Sequence, residues 1–268
     1  MLFILLLFLP AVLYFAAICP NLSRKTKMKP FSGAEFAHRG LFSNQNNIPE
    51  NSMKAFQEAV KHHVGIELDV HLTKDGKAVV FHDDTLTRMC HKDGVIEKMD
   101  YEELQNCYLN HTSEKIPLLA DVLSYVNGRV PMLIELKLPS KNMRLCREVS
   151  TLLASYHGNY LIQSFNTIGL AWFRRHAPHI LRGQLSSNLT KTRKSEPWIA
   201  CFLVRFLLLN WIGKPDFISY KFKDSQNISL RMMNFLFHTP IAVWTLRTPN
   251  EFQEGKRCFQ MNIFEKNF

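Results

Sequence analysis

Two residue pairs with the same spacing carry the chemistry of this sequence: Glu67 with Asp69, and Glu135 with Lys137. Each pair ends an apolar segment that we predict to be a β-strand, and residues two apart on a strand point to the same side. Three carboxylates with no cysteine among them offer the oxygen ligands that hard cations prefer. The pattern therefore predicts that Glu67, Asp69 and Glu135 hold one divalent cation, Mg²⁺ or Ca²⁺.

Histidines and basic residues flank these carboxylates. His38 ends the first predicted strand, and His82 ends a short extension predicted at 78–81 after the second strand. Two imidazoles beside carboxylates supply an acid and a base that work near neutral pH. Arg39 and Lys137 bring positive charge for a phosphate. With a divalent cation, this set is typical of phosphodiester hydrolysis. The residues do not decide which histidine is the acid and which is the base.

The elements that must position these side chains are short apolar strands that alternate with helical patterns. Eight such strands predict a (β/α)8 TIM barrel, an α/β fold whose active sites lie at the carboxyl ends of the strands. A doubly wound open sheet is the alternative, but no glycine-rich phosphate loop follows the first strand. Residues 82–116 exceed one β/α unit, so we expect a small inserted lobe after strand 2. The predicted strands are 35–38, 65–70, 131–137, 160–163, 180–185, 216–220, 241–245 and 261–264.

An apolar run at residues 2–19 precedes the barrel. As a helix it would be roughly 27 Å long, close to the apolar thickness of a bilayer. Basic residues follow it at 24–29, whereas a cleaved signal peptide, the alternative, carries its charges before the apolar run. We therefore predict a transmembrane anchor at 1–23, a basic juxtamembrane linker at 24–34 and the barrel at 35–268. The positive-inside bias predicts a single-pass protein of the cell membrane with a cytoplasmic barrel.

Composition and charge narrow the partners. A hydrophobic share of 46% and a charged share of 21% exclude a disordered chain. The six cysteines are widely spaced and lack zinc-site spacing, so we expect reduced thiols. The net charge of +10 predicts an anionic partner. Because no nucleic-acid recognition motif is present, we expect a small-molecule or lipid phosphodiester and a membrane, and no nucleic acid.

Two apolar features each have two interpretations. Residues 198–211 are strongly apolar and are interrupted by Arg205. A buried barrel helix is the favoured interpretation, and a helix lying on a bilayer beside the active site is the alternative. Trp244, near the end of a predicted strand, either forms a wall of the substrate site or packs in the core.

An ordered set of motifs resembles the glycerophosphodiester phosphodiesterases, in a membrane-anchored bacterial form, over residues 35–268. The resemblance implies that Glu67, Asp69 and Glu135 bind the metal and that His38 and His82 are the acid/base pair. It implies hydrolysis of a glycerophosphocholine-like diester or a lysophospholipid, giving glycerol 3-phosphate or a lysophosphatidate plus an alcohol. It also implies that the phosphate contacts are Arg39 and Lys137. The motifs are His38-Arg39-Gly40, Pro49-Glu50-Asn51-Ser52, Gly65-Ile66-Glu67-Leu68-Asp69-Val70, Thr73-Lys74-Asp75-Gly76, Val79-Val80-Phe81-His82-Asp83, Ile116-Pro117-Leu118-Leu119, Ile134-Glu135-Leu136-Lys137, Gln163-Ser164-Phe165 and Val243-Trp244-Thr245.

Two alternatives share parts of this pattern. A phosphoinositide-specific phospholipase C-like enzyme has the barrel and the paired histidines, but the Glu-x-Asp and Glu-x-Lys spacings favour the first interpretation. A non-catalytic lipid- or phosphate-binding barrel needs no acid/base pair. The sequence is expected to depart from the family at two places: Ile263-Phe264-Glu265 stands where the family closes its last strand with a Thr/Ser-Asp pair, and the family's last helix is not expected after the last predicted strand.

Overall fold

The computed structural model describes residues 2–138, 142–192 and 196–265, with side chains from Phe8 onward. Met1 and residues 266–268 of the predicted domains lie outside this part of the chain. The predicted TIM barrel is confirmed: eight parallel strands close into a ring, because the first strand pairs with both the second and the last. The strands are β1 (Ala34–Ala37), β2 (Gly65–Leu72), the additional β3 (Ala78–Val80), β4 (Met132–Leu136), β5 (Tyr160–Ser164), β6 (Arg182–Ser186), β7 (Phe217–Lys221), β8 (Ile241–Leu246) and β9 (Met261–Phe264).

The helices lie mainly outside this ring, and several start at side-chain caps. Ser52, Asn166 and Asn227 each accept a backbone N–H in the first turn of the helix that follows. The helices are α1 (Leu2–Ile18), α2 (Met53–Lys61), α3 (Thr87–Cys90), α4 (Tyr101–Leu104), α5 (Leu119–Val126), α6 (Arg144–Ala154), α7 (Thr167–His176), α8 (Leu189–Thr192), α9 (Trp198–Arg205), α10 (Asn210–Gly213), α11 (Ile228–Phe237) and α12 (Pro249–Cys258), with 3₁₀ turns at Lys25–Phe31, Asn44–Asn46, Ile96–Lys98 and Phe222–Asp224.

Strand β2 is buried along its whole length, as expected for a strand of a parallel barrel. Ile66, Leu68 and Val70 pack in the cluster that joins the strands to the outer helices, so the alternate residues point into the barrel. The register places Asp69 beside Glu135 of β4. Strand β3 pairs antiparallel with the end of β2. The spacing of two residues in the sequence therefore places the carboxylates on the inner face of the barrel.

The barrel interior is apolar toward the amino-terminal ends of the strands. Leu133 and Leu161 are register partners on β4 and β5, and both pack in one cluster with Phe217. Gly183 on β6 makes room for this ring, since a Cβ there would lie 2.2 Å from Phe217 Cζ. The apolar filling of this half leaves the opposite half, at the carboxyl ends, for polar side chains.

The segment at 24–34, predicted as a juxtamembrane linker, closes the apolar end of the barrel. Its 3₁₀ helix Lys25–Phe31 buries Met28 and Phe31 in the interior cluster. The Gly33 N–H then donates to the Gln260 carbonyl at 2.7 Å. This segment is therefore part of the barrel floor.

The predicted transmembrane anchor is not found. Across residues 2–138, 142–192 and 196–265, no helix has both the length and the apolar character that crossing a membrane requires. Helix α1 ends at Ile18, which is fully buried, and its last turns pack against α10 and α11. Tyr14 Oη hydrogen-bonds Ser229 Oγ at 2.8 Å, and Asn210 Nδ2 donates to the Ile18 carbonyl at 3.0 Å. The end of the apolar run is therefore used for packing on the barrel.

The apolar region 198–211 forms α9 and α10 instead of one buried helix. In α9 the Cys201 side chain is buried, but Trp198 and Ile199 keep 63% and 67% of their surface exposed. The expectation of a buried helix is wrong here, because α9 lies at the rim of the barrel. Tyr220 Oη donates to the Arg205 carbonyl at the end of this helix.

Residues 82–116 lie between β3 and α5 and contain α3 and α4. They hold an apolar cluster of their own, in which Leu86, Ile96 and Leu104 are fully buried. This cluster fixes the start of the segment, where His82 and Asp83 stand at the rim of the barrel.

Candidate active site

Three buried carboxylates meet at the carboxyl ends of β2 and β4. Glu67, Asp69 and Glu135 each bring one oxygen to within 4.8 Å of the others, and at most 7% of each residue is exposed. Lys137 Nζ lies among them, 2.9 Å from Asp69 Oδ1 and 2.6 Å from Glu135 Oε1. The predicted ligand set and its neighbouring lysine are therefore one cluster.

Burial and charge together decide the protonation of this cluster. Burial, helped by the charges of Asp69 and Glu135, raises the pKa of Glu67 well above its usual range. Burial also raises the pKa of Glu135, against the charge of Lys137. Burial opposes ionisation of Asp69 too, but Lys137 and other nearby cations hold its pKa far below the usual value. A divalent cation fits this oxygen-only set, because its charge would allow all three carboxylates to ionise.

His38, directly after β1, is held by a carboxylate from the opposite end of the chain. Its Nδ1–H donates to Glu265 Oε1 at 2.8 Å, and Arg247 holds both oxygens of Glu265 at 2.7 and 2.9 Å. Burial lowers the pKa of His38, although the hydrogen bond to Glu265 opposes the change. Burial alone would raise the pKa of Glu265, yet His38 and Arg247 lower it to about 2. His38 is thus a neutral imidazole with a fixed tautomer.

His82, which follows β3, has the same kind of support from the inserted lobe. Its Nδ1–H donates to Asp83 Oδ1 at 2.5 Å. Arg88 contacts Asp83 Oδ2 at 2.6 Å and Glu50 Oε1 at 2.6 Å. His71 Nε2 donates to the backbone carbonyl of His82 at 3.3 Å. Both the ring and the backbone of His82 are therefore held in place.

Arg39 links the loop after β1 to the carboxylates. Its backbone is left-handed, with φ 59°, and its N–H donates to Glu67 Oε2 at 3.1 Å. The guanidinium donates to Glu50 Oε1 at 2.7 Å and lies 3.6 Å from Asp69 Oδ2. Asn51 Nδ2 donates to the same Asp69 oxygen at 2.9 Å. Arg39 is therefore beside the cluster, as predicted, and is already engaged by acidic partners.

The cluster opens into a cavity of about 590 Å³ at the carboxyl ends of the strands. Every predicted site residue lines it except Asp69, which is 1% exposed and is the most deeply buried of the three carboxylates. Trp244 also lines it, with its ring edge-on to Phe165 and centroids 6.0 Å apart. Lys221 and Lys223 bring further positive charge to the wall. Trp244 therefore lies in the wall of the cavity and also packs against the interior apolar cluster.

Sequence reasoning missed the residues that orient the predicted ones. Glu265 was visible as a departure from the family pattern, and Asp83 as part of a motif, but neither pointed to a histidine. Gln163, also within a motif, donates from Nε2 to Glu67 Oε1 at 3.4 Å. The signal that could have found Glu265 and Gln163 is a polar residue at the end of a predicted strand, and the signal for Asp83 is its place directly beside the predicted His82.

Comparison with known proteins decides the family. The sequence profile of the glycerophosphoryl diester phosphodiesterase family matches residues 38–263. The chain belongs to this family. The match contains all eight predicted site residues. The expected family is thereby confirmed, whereas its membrane-anchored form is not supported.

The alignments with individual relatives each cover only part of this phosphodiesterase. A glycerophosphodiester phosphodiesterase of Bacillus altitudinis is 36% identical over 54% of this chain and 63% of its own. A human lysophospholipase D is 32% identical over 53% of this chain and 48% of its own. The chain therefore matches less than two thirds of either relative.

Solved structures share the fold of this protein over most of the chain. An Oleispira antarctica phosphodiesterase in complex with the product sn-glycerol-3-phosphate superposes with a TM-score of 0.70 at 20% identity, over 88% of this chain and 94% of that one. A Thermotoga maritima glycerophosphodiester phosphodiesterase has a TM-score of 0.65 at 24% identity, over 86% and 93%. These structures share the barrel fold.

Proposed function

We propose that this protein is a metal-dependent phosphodiesterase that hydrolyses glycerophosphodiesters to glycerol 3-phosphate and an alcohol, or lysophospholipids to a lysophosphatidate and an alcohol. The observation that carries this proposal is the buried carboxylate cluster beside two histidines, each oriented by its own carboxylate. A barrel that only bound phosphate would need positive charge but no pair of oriented imidazoles. The sn-glycerol-3-phosphate held by the Oleispira relative supports glycerol phosphate as the common part of the substrates.

In this proposal His38 and His82 move the protons. Each directs Nδ1–H to a carboxylate, which leaves Nε2 as the ring atom that faces the substrate. His38, whose lowered pKa favours the neutral imidazole, accepts the proton of the attacking hydroxyl as the new P–O bond forms. The attacker is water, or it is the neighbouring glycerol hydroxyl, in which case water then opens the cyclic phosphate. His82, oriented by Asp83, protonates the leaving alkoxide as the old P–O bond breaks.

The phosphate is held by positive charge on two sides of the carboxylates. Lys137 Nζ and the Arg39 guanidinium both lie against the cluster, so a phosphate that enters the cavity meets two cations. Glu67, Asp69 and Glu135 would hold the divalent cation, which when bound would polarise a non-bridging phosphate oxygen and lower the pKa of the attacking hydroxyl. Trp244 would pack against the glycerol or the headgroup.

We further propose that the protein works at a membrane surface, with the barrel in the cytoplasm. Apolar side chains support this location, because Phe8 and Val12 on α1 are 65% and 60% exposed and Trp198 on α9 is 63% exposed. The six free cysteines fit a reducing compartment. The human relative, a lysophospholipase D, supports a lipid-derived substrate.

The test is an assay of the purified full chain with glycerophosphocholine and, in parallel, lysophosphatidylcholine. We expect release of glycerol 3-phosphate or lysophosphatidate that requires Mg²⁺ or Ca²⁺ and stops with EDTA. His38→Ala and His82→Ala should each lose most of the activity while folding normally. His62→Ala, which changes an exposed histidine at the end of α2, is the matched control and should remain active. Absence of release from both substrates, with metal binding confirmed, would contradict the proposed reaction.

A further inference from the structure

A second cavity, of about 400 Å³, opens at the amino-terminal end of the barrel. Its walls come from residues 19–23, the end of α7, and the segments that lead into β6 and β7. Three of the lining residues are basic, namely Arg174, Arg182 and Lys214, and none of the described lining residues is acidic. The candidate active site lies at the other end of the strands, so the two cavities are separate.

Arg182, the first residue of β6, is the buried part of this wall, with 2% of its surface exposed. Its Nε donates to the Gly213 carbonyl at 2.9 Å. Its Nη1 has no hydrogen-bond acceptor among the described residues, and the nearest carboxylate oxygen, Asp216 Oδ2, is 4.0 Å away. A buried donor without an acceptor is costly. The structure therefore leaves a guanidinium N–H for a ligand.

Among the described residues around Arg182, positive side chains outnumber carboxylates. Asp216 is buried beside Arg24 and Arg182, at 3.4 and 4.0 Å, while Arg174 and Lys214 add two more positive charges at the cavity. Burial, together with the charges of Arg24 and Arg174, lowers the pKa of Arg182 to about 10, although Asp216 opposes this change. Among the described residues, Asp216 is thus the one carboxylate beside four cations, Arg24, Arg174, Arg182 and Lys214.

Hydrogen bonds to carbonyls at helix ends account for two of these basic residues, Arg174 and Lys214, but not for Arg182. Arg174 donates to the carbonyls of Trp211 and Ile212 at 3.1 and 3.0 Å, and Lys214 donates to the Cys19 carbonyl at 3.2 Å. Cations at the carboxyl ends of helices stabilise such carbonyls. The capping of helix carbonyls does not require the buried Arg182, whose Nη1 has no hydrogen-bond acceptor in the described part of the chain.

We propose that this cavity is a second, non-catalytic binding site for a phosphate group. A phosphate presents several acceptor oxygens, which match the fork of Arg182 and the flanking Arg174 and Lys214. The phosphate would come either from an anionic phospholipid or from a free phosphorylated molecule. Leu22 lines the cavity and is 50% exposed, and Trp211 beside Arg174 is 54% exposed. These apolar neighbours suit a lipid. The site does not depend on the proposed hydrolytic activity.

The test compares two variants of the full chain. Arg174→Gln with Lys214→Gln removes two cations of the cavity, and Arg175→Gln removes the neighbouring exposed arginine of α7, which does not line it. Both variants keep the active site, so phosphate bound there contributes equally. The first arm is calorimetric titration with inorganic phosphate. The second arm is sedimentation with phosphatidylglycerol vesicles against phosphatidylcholine vesicles.

We expect the double variant to bind roughly tenfold more weakly than Arg175→Gln in one of the two arms, as the loss of charged hydrogen bonds predicts. Weaker binding of inorganic phosphate identifies a free phosphate ligand. Weaker binding to phosphatidylglycerol vesicles alone identifies a lipid headgroup. Equal binding by both variants in both arms overturns the proposal. If the double variant does not fold, Arg174→Gln alone, at an exposed side chain, gives the same comparison.

Discussion

Glu265 provides the sharpest test of the active-site geometry, because it does not line the cavity itself and acts on the site through His38 and Arg247. We predict that Glu265→Gln lowers kcat and leaves KM nearly unchanged, since Glu265 does not line the cavity. The glutamine keeps the size of the side chain but removes the charge that accepts the Nδ1–H of His38 at 2.8 Å. His38 then loses both its tautomer preference and the stabilisation of its protonated form.

The magnitude follows from the hydrogen bond that is lost. A hydrogen bond to a charged group contributes about 1.5–3 kcal/mol, which corresponds to roughly a 10- to 150-fold lower kcat if it acts fully in the transition state. Glu265 also opposes the lowering of the His38 pKa. Its removal lowers that pKa further, so the acidic limb of the pH profile of kcat/KM should move to lower pH.

The assay is steady-state hydrolysis of glycerophosphocholine across pH, with folding checked by circular dichroism. Glu251→Gln is the matched control, because Glu251 accepts the backbone N–H of Arg247 at 2.8 Å but does not contact His38. Glu265→Asp should restore part of the rate. A Glu265→Gln enzyme with the kcat and the acidic limb of the Glu251→Gln enzyme would refute the role assigned to Glu265.

Four further predictions test the metal site, the barrel core, the acid stability and the membrane surface. Glu135→Gln should weaken binding of Mg²⁺ or Ca²⁺ about tenfold or more in calorimetry, because one charged ligand is lost. Gly183→Ala should lower the free energy of unfolding in urea by about 1–3 kcal/mol, since its Cβ overlaps the Phe217 ring. Glu265 has a folded pKa of about 2 against an ordinary 4.5, so it stabilises the fold above pH 4.5 and this contribution should disappear as the pH falls to 2, narrowing the gap between wild type and Glu265→Gln. Trp198→Ser should reduce sedimentation with vesicles without changing kcat on glycerophosphocholine.

The barrel could be predicted from the sequence because each strand carries a strong local pattern. The β2 segment is apolar at Ile66, Leu68 and Val70 and acidic between them, a pattern that makes sense only if one face meets helices and the other meets a site. The outer cluster confirms the first face, and the carboxylate cluster occupies the second. The pattern within each strand was sufficient to predict the barrel, because strand number, tilt and register are linked when a sheet closes.

The ends of the chain could not be predicted in the same way, since their apolar residues fit two environments. The run at 2–19 has the composition of a membrane helix, yet Ile18 at its end is fully buried against the barrel. Hydropathy records how apolar a residue is and not which apolar surface covers it. For the same reason, α9 was expected to be buried, although Trp198 is largely exposed.

Some site residues could be predicted from the sequence and others could not, and the difference depends on how each side chain is held in place. Glu67, Asp69 and Glu135 stand on strands, and their positions are fixed to within the barrel register. Each histidine stands at a strand end and is held by a carboxylate: His38 by Glu265, 227 residues away, and His82 by the adjacent Asp83. Glu265 is distant from His38 in sequence, and Arg88, which fixes Asp83, lies in an insertion, so the spacing of the motifs does not show how the two histidines are held. A site that moves protons needs imidazoles held as firmly as its metal ligands, and the residues that sequence reasoning missed are the ones that meet this requirement.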